Sequence, residues 1–179
     1  SGYAALFSNT TGDNNTAYGY QALSLNTTGS HNTAFGYQAL IANTVGGYNV
    51  AAGHHALYAN TSGADNVAIG RFALVANTQG AQNVAIGRQA GYWNGTGSQN
   101  VAIGYLATNA GATGNTTAIG YNAYATASNM IRLGNSSVTV IEGEVAFSNS
   151  SDRRLKKDIT NTKYGLQTIL KLAPVDYQL

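Results

Sequence analysis

Short stretches of alternating side chains recur along residues 15–120. In Val67-Ala68-Ile69, aliphatic side chains flank an alanine, which is the period of two expected for a strand. The phrase that contains them returns seven times, as NTAYG, NTAFG, NVAAG, NVAIG three times, and TTAIG. Its closing glycines lie 17 residues apart from Gly19 to Gly104, and Gly120 follows after 16. Such a regular period predicts a stacked array in which each unit buries its apolar side chains against its neighbours.

The remainder of each unit predicts a second short strand and a turn. Ala-Leu pairs follow the phrase, and a tetrapeptide N-T-x-G comes after them. Asn tolerates the left-handed region and Gly supplies positive φ, so N-T-x-G is expected to reverse the chain. A unit of 17 residues holds two short strands and two turns but no crossover helix, so the units should stack as parallel rungs about 4.8 Å apart. The predicted fold class is all-β, a parallel β-solenoid or β-roll of 17-residue repeats.

Stacking places equivalent residues in columns that run along the solenoid. One column predicts a ladder of amide side chains: Asn15, Asn32, Asn49, Asn66, Asn83 and Asn100. The Val and Ile positions, such as Val67 and Ile69, are interpreted as a thin core. The alternating alanines, from Ala17 to Ala102, are interpreted as a lateral interface with identical chains, because so narrow a core buries too little surface to stand alone.

The period decays after Gly120. Strand or hairpin structure is expected in a neck that contains Val138, Val140 and Ile141. The spacing of apolar residues in TKYGLQTILKL predicts an amphipathic helix that begins near Thr162 and ends before Pro174. Three regions follow: a β-roll shaft or head over residues 1–127, a β neck over 128–150, and a different domain over 151–179.

Charge supports the boundary near residue 150. Residues 1–150 carry three basic and four acidic groups, whereas residues 151–179 carry six basic and three acidic ones. Only 9% of the chain is charged, against about 25% in an average soluble domain, so its surface must rest on neutral polar side chains, on partner chains, or on both. The absence of cysteine leaves the compartment open. No run approaches the roughly 18 apolar residues of a membrane span, and none is predicted.

The residue after each phrase glycine forms another column, which changes character midway: Tyr3, Tyr20, Tyr37, His54, Arg71, Arg88, Tyr105 and Tyr121. Arg71 and Arg88 would stand one rung apart and repel unless they face water or share an anion. Two interpretations stay open, a solvated position and a contact with a small anion or glycan. His54 and His55 are expected on opposite faces of a strand, so no metal site is predicted, and no cofactor either.

Other side chains allow further interpretations. Tyr92 and Trp93 interrupt one unit and could stack on a sugar, although an aromatic that plugs an irregular rung is commoner. A threonine column, Thr10, Thr27, Thr44, Thr61 and Thr78, allows ice binding, but one threonine per rung is not a broad flat array. No lysine precedes Lys156, so nucleic-acid binding is not predicted.

Two parts of the chain resemble known families. The NVAIG phrases resemble the head repeats of trimeric autotransporter adhesins, and the NTAxGYxAL units with N-T-T-G resemble repeats of bacterial tail-fibre-like proteins. The segment LGNSSVTVIEGEVAFSNSSDRRLKKDI, followed by GLQTILKLAPVDYQL, is similar to the start of the endosialidase-type intramolecular chaperone domain. The first resemblance implies β-rolls that pack three abreast, and hence a homotrimer. The second implies a domain that assists trimer assembly and then cuts itself off with a Ser-Lys dyad in an S-D-x-R-x-K motif.

Carrying that motif over residue by residue gives Ser151 as the nucleophile and Lys156 as its base. A serine hydroxyl is a weak nucleophile, and a lysine can act as its base where burial favours the neutral amine. The resemblance places the cut between Ser150 and Ser151. Only 28 residues follow Ser151, so only the first part of that domain is expected here. The expected enzyme activity is at most self-cleavage, with no external substrate.

These observations predict a structural and adhesive trimeric fibre. Its expected location is extracellular, on a phage tail or a bacterial cell surface, and its expected partner is a host-surface glycan or receptor. An alternative is the shaft of a tailspike-type glycan hydrolase whose catalytic domain lies outside this segment. Glycosidase chemistry needs two carboxylates about 5–9.5 Å apart, and the repeats contain only Asp13 and Asp65, about three rungs apart.

Overall fold

The computed structural model describes residues 1–142. Its contacts divide the chain into one unit, Ser1–Thr139, and a second unit that begins at Val140. The helix predicted near Thr162 lies outside the described residues, and the region boundaries at residues 127 and 150 stay predictions. The strands are β1 Thr16–Tyr18, β2 Thr33–Phe35, β3 Val50–Ala52, β4 Val67–Ile69, β5 Val84–Ile86, β6 Val101–Ile103, β7 Thr108–Asn109, β8 Thr117–Ile119, β9 Tyr124–Ala125 and β10 Ile131–Leu133.

Eight of these strands form one parallel sheet in the order β1-β2-β3-β4-β5-β6-β8-β10. Each phrase supplies one strand, and each strand pairs in register with the strand of the next unit, so that Val67 lies beside Val84 and Ala68 beside Ala85. The shorter 16-residue step keeps the register, since Ala102 lies beside Ala118. The predicted all-β parallel solenoid of 17-residue turns is therefore confirmed.

The opposite wall of the solenoid differs from the prediction. The Ala-Leu pairs were expected to form a second strand, but in the first rungs they lie in tight turns in which Gln21 and Leu23 have φ of 53° and 52°. This wall is nevertheless bonded from rung to rung, because the Leu23 N–H donates to the Ala39 carbonyl at 3.0 Å. The equivalent position becomes Thr108 further along, where a β-branched side chain disfavours the left-handed region. The wall is extended there, and β7 pairs with β9.

The core is built from alanine, which reverses the predicted orientation of the strands. Strands β1 to β6 and β8 turn their central alanine inward, as at Ala34, Ala51 and Ala68, and the flanking residues point outward. Buried leucines from the opposite wall complete the interior: Leu23, Leu40, Leu57 and Leu74. A leucine from one wall leaves room only for a methyl group on the other, because interiors pack without voids. The interpretation of the Val and Ile positions as the core is therefore wrong.

The predicted amide ladder is confirmed. Asn66 Nδ2 donates to Asn49 Oδ1 at 3.0 Å and to the Gly80 carbonyl at 2.9 Å, and the same contacts recur at Asn83. Asn49 Oδ1 also accepts the backbone N–H of Asn66 at 3.1 Å. These asparagines are fully buried, so the ladder replaces the water that their amides lose on folding.

A second ladder arises from the asparagine of N-T-x-G. Asn60 Nδ2 donates to Asn43 Oδ1 at 2.8 Å and to the Gly63 carbonyl at 3.0 Å, and Asn60 Oδ1 accepts from Asn77 Nδ2. The backbone of these turns differs from the expectation, because neither the asparagines nor the glycines have positive φ. Glycine is required at position 63 for a different reason. A Cβ there would overlap Asn60 Oδ1 and the Gly80 carbonyl.

The sheet ends at β10, where the inward position of the strand changes. Arg132 lies in register with Ala118 but is exposed. Its Nε donates to the Gly134 carbonyl at 3.0 Å. The strand of the expected neck therefore lies at Ile131–Leu133, whereas Val138, Val140 and Ile141 do not lie in strands within the described residues.

Replacing Asn60 with aspartate tests the second ladder. The new carboxylate oxygen would face two acceptors, Asn43 Oδ1 and the Gly63 carbonyl, and would bury an unpaired charge. We expect Asn60→Asp to lower the free energy of unfolding by about 3–5 kcal/mol, measured by chemical denaturation. Asn122→Asp, in an exposed turn, is the matched control and should shift it by less than about 0.5 kcal/mol. Equal shifts in the two variants would contradict a structural role for the ladder.

Candidate functional site

The residues carried over as catalytic, Ser151 and Lys156, lie outside the described residues. Their roles therefore stay predictions. The described part of the chain offers other candidate surfaces, and all of them follow from the columns that stacking creates.

The outer face of the eight-stranded sheet is apolar and exposed. Two columns flank the buried alanines. One runs through Val50 and the other through Ile69 and Ile86, whose exposed fractions are 38%, 42% and 39%. Aromatic rings continue the second column at its start, where Tyr18 stacks on Phe35 at 5.1 Å between centroids. The alanine row from Ala17 to Ala102 was predicted to be the lateral interface, but it lies inside the chain, so this prediction is wrong. The surface left open to another chain is the Val and Ile face.

The column after the phrase glycines consists largely of stacked aromatic rings. Tyr3, Tyr20 and Tyr37 stack with centroids 5.3 Å apart, and Tyr37 stacks on His54 at 5.1 Å. Each ring in this stack covers the face of the next, so mainly edges and hydroxyls meet solvent. A parallel ladder of amides accompanies it, in which Gln38 Nε2 donates to Gln21 Oε1 at 2.7 Å.

Cationic side chains interrupt this column at its middle. The Arg71 guanidinium lies 4.7 Å from the Phe72 ring centroid, and the Arg88 guanidinium lies 5.2 Å from that of Tyr105. His54 and His55 were expected on opposite faces of a strand. They lie instead in the turn that follows β3, with ring centroids 4.1 Å apart, so that prediction is wrong. We name His54, His55, Arg71, Phe72 and Arg88 the basic cluster.

Electrostatics in the basic cluster is uniformly positive. Partial burial lowers the pKa of His55, and the nearby His54 and Arg71 lower it further. No carboxylate is among these causes. His55 Nε2 lies 2.8 Å from Gln38 Oε1, and because a carbonyl oxygen only accepts, this contact assigns the ring proton to Nε2. The ring therefore continues the amide ladder of Gln21 and Gln38 as a donor.

Trp93 and the threonine column differ from what the sequence suggested. Trp93 does not plug its rung, because 63% of its surface is exposed and its ring meets Tyr92 edge to face at 4.6 Å. The threonine column is partly buried, and its hydroxyls are used internally, since Thr27 Oγ1 donates to the Thr44 carbonyl at 3.0 Å. The same bond recurs at Thr44 and Thr61. This leaves few free hydroxyls for an ordered array of water.

Residues 1–142 contain neither a candidate metal centre nor a membrane-spanning helix. No three side chains among His, Cys, Asp and Glu are grouped so that they could share a metal ion. None of the described segments forms a helix with the length and apolar character of a membrane span.

Sequence reasoning missed the second amide ladder, although its signal was present. Asn9, Asn26, Asn43, Asn60, Asn77 and Asn94 recur with the same 17-residue period as the predicted ladder. Their place beside Thr and Gly indicated a turn, and a turn asparagine is ordinarily exposed. The period alone would have shown that these amides stack.

One known family matches the last residues of the sequence. Residues 151–179 match the family model described as chaperone of endosialidase. Neither the curated proteins nor the solved structures gave a match. The match covers the segment whose S-D-x-R-x-K motif suggested that domain, and together with the solenoid it fits a fibre-like structural protein.

The lowered pKa of His55 predicts a dependence of stability on pH. The unfolded state binds the proton more readily than the folded state, so stability is lost as pH falls from about 6.5 toward the lower folded value. We expect the melting temperature to fall between about pH 7.5 and about pH 5.5. His55→Gln keeps a side chain that can continue the ladder from Gln38, and it should make this fall smaller. If the melting temperature of the variant falls as much as that of the wild type, the fall is not due to His55. The melting temperatures of the two proteins at the higher pH serve as the control.

Proposed function

We propose that this chain forms the shaft of a homotrimeric adhesive fibre, carried on a phage tail or on a bacterial surface. The observation that supports it best is the exposed Val and Ile face of the sheet. A continuous apolar face of this kind marks an interaction surface. The regular stack of parallel rungs supplies length and stiffness, as a fibre requires.

Three copies that meet through this face would correct two weaknesses of the single solenoid. Its core of alanine and single leucines is thin, and only 9% of the chain is charged. Packing three sheets around one axis would give the outward side chains of β2 to β6 a second core. The three-fold arrangement comes from the resemblance to trimeric adhesin heads, and the match to the chaperone family is consistent with it.

Assembly through a repeated face creates a problem of register. Val67, Val84 and Val101 are equivalent, so a slip of one rung between two chains would still place valine against valine. The repeats therefore discriminate poorly between correct and shifted assemblies. A dedicated assembly domain at one end would align the three chains before the shafts pack. This is the role we propose for the segment that starts at Ser151.

The alternatives receive less support. Asp13 and Asp65 are the acidic residues of the solenoid within residues 1–139, and they stand about three rungs of about 4.8 Å apart, which is too far for the paired carboxylates of a glycosidase. Ice binding is disfavoured because the threonine hydroxyls bond to the next rung.

Placing a charge on the Val and Ile face tests the trimer. In the full-length protein, Ile86→Lys would bring three ammonium groups together near the proposed axis. We expect the mass measured by light scattering to fall from three chains to one, with the β-sheet circular dichroism signal retained. Gln79→Lys, in an exposed turn, adds the same charge elsewhere and should remain trimeric. A wild-type protein that is monomeric would refute the proposal.

Removing the proposed nucleophile tests self-cleavage. In the full-length protein, Ser151→Ala and Lys156→Met should each remain uncut, because neither retains both the hydroxyl and its base. Gel electrophoresis with mass spectrometry should show a wild-type fragment that begins at Ser151. Ser148→Ala, which leaves both groups in place, should be cut as the wild type is. Persistent cleavage in Ser151→Ala would exclude this serine as the nucleophile.

A further inference from the structure

The basic cluster is the one place where the aromatic column changes its chemistry. Stacked tyrosines stand on both sides of it, with Tyr37 before it and Tyr105 and Tyr121 after it. Adjacent rungs carry the cations, since the Gln89 N–H donates to the Arg71 carbonyl at 2.9 Å and the Phe72 N–H donates to that of His54 at 3.0 Å. The fold therefore sets two guanidinium groups one rung apart, about 4.8 Å along the axis.

Aromatic rings hold these guanidinium groups while leaving their N–H groups free. Arg71 rests on Phe72 and Arg88 on Tyr105, which restricts both side chains at little cost in hydrogen bonds. Of the arginines in residues 1–142, only Arg132 donates a hydrogen bond within that range. Both cluster arginines are exposed, so their donors point to solvent.

Within residues 1–142, no carboxylate is among the groups that shift the pKa of His55 in the basic cluster. Asp65 is the acidic residue closest in sequence, and it lies before β4, whereas Arg71 lies after that strand. Asp13 lies four rungs from Arg88. Two like charges one rung apart repel, and an anion that lies between them reduces this repulsion more than solvent alone does. Two guanidinium groups at this spacing can both donate to a single anionic group.

The surroundings of the basic cluster favour a carbohydrate as the carrier of that anion. Tyr105 lies on the rung after Arg88 and Gln89 follows Arg88 on its own rung, and their hydroxyl and amide groups can hydrogen-bond to sugar hydroxyls. Nucleic acid fits less well, because affinity for it grows with the number of phosphates neutralised and this cluster offers two permanent charges. The stacked rings also lack open faces on which bases could lie.

We propose that the basic cluster binds the carboxylate or sulfate groups of an acidic polysaccharide, with Arg71 and Arg88 donating to one anionic group. This inference deepens the proposed adhesive role by naming the ligand class. In a trimeric fibre the site would be present three times, so a repetitive polymer would gain affinity through multivalency. The site itself belongs to a single chain and does not require the trimer.

Acid should strengthen this binding. Around His55 the facing groups are Tyr37 from the preceding rung, His54 and Tyr58 from its own rung, and Arg71 and Phe72 from the next. None of them carries a carboxylate, so protonation of His55 adds positive charge that a bound anion would compensate. A bound anion would in turn favour protonation of His55.

Binding of the full-length protein to immobilised polysaccharides tests the proposal. The probes are heparin for sulfate, polygalacturonate for carboxylate, and dextran as the neutral polymer. Arg71→Gln and Arg88→Gln should each weaken binding about tenfold or more, as expected for the loss of a charge-assisted hydrogen bond. Arg132→Gln removes the same charge outside the cluster and should change it less than about twofold. Binding should strengthen toward about pH 5.5, and less so in His55→Gln.

The binding measurements distinguish results that support the proposal from results that overturn it. Binding to heparin or to polygalacturonate that depends on Arg71 and Arg88 supports the proposal and identifies the anion. The proposal is overturned if neither acidic polymer binds, or if dextran binds equally well. It is also overturned if double-stranded DNA binds as tightly or more tightly at the same salt, or if Arg132→Gln weakens binding as much as the cluster variants do. Light scattering on the same samples is read separately. A monomer whose binding depends on Arg71 would refute the fibre and leave this inference standing.

Discussion

The hydrogen bonds between successive rungs are the interaction on which the rest of the structure depends. Strands of three residues are too short to be stable alone, and alanine with a single leucine per rung makes a weak core. What holds the rungs in place is the repetition of the same bonds at the same distances. Backbone pairs, two rows of buried amides and a row of threonine hydroxyls each connect a unit to the next. Because every buried amide has its partner in an adjacent unit, one substitution affects three units at once.

The period predicted much of this fold, and local side-chain chemistry predicted less. The spacing of Gly19 to Gly104 was sufficient to establish parallel rungs and the first amide ladder. Alternation showed that Val67 and Ile69 share one face of the strand and that Ala68 lies on the other. It does not show which face is buried, and the greater hydrophobicity of Val and Ile suggested the wrong one. The thickness of the rung decides this point. A Cβ added at Gly91, which takes the place of Leu74 one rung further along the same wall, would lie only 3.3 Å from Ala85 Cβ on the strand wall, so only small side chains fit opposite the leucines. The left-handed turns at Gln21 and Leu23 could not be predicted, since neither residue ordinarily favours that conformation.

The candidate surfaces are formed by the same columns, and the sequence predicted some of them better than others. Sequence spacing placed Arg71 and Arg88 one rung apart, and the structure adds the rings that hold them. It did not place His54 beside His55, because the turn begins immediately after Gly53 and removes the strand on which they were expected. The outer apolar face became visible only when the alanines proved to be internal. The two proposals therefore use different faces of one solenoid, with ligand binding on the column that contains Arg71 and Arg88 and contact with sister chains on the flat sheet.

The equivalence of the units has a consequence for how such proteins change over generations. Each rung gives its neighbours the same set of donors and acceptors, so an inserted or deleted block of one unit would find its partners already in place. Copy number is therefore a variable that recombination within the gene can adjust in steps of about 4.8 Å of length. A lineage can thereby alter the length of the solenoid without changing the sequence on either side of the repeats.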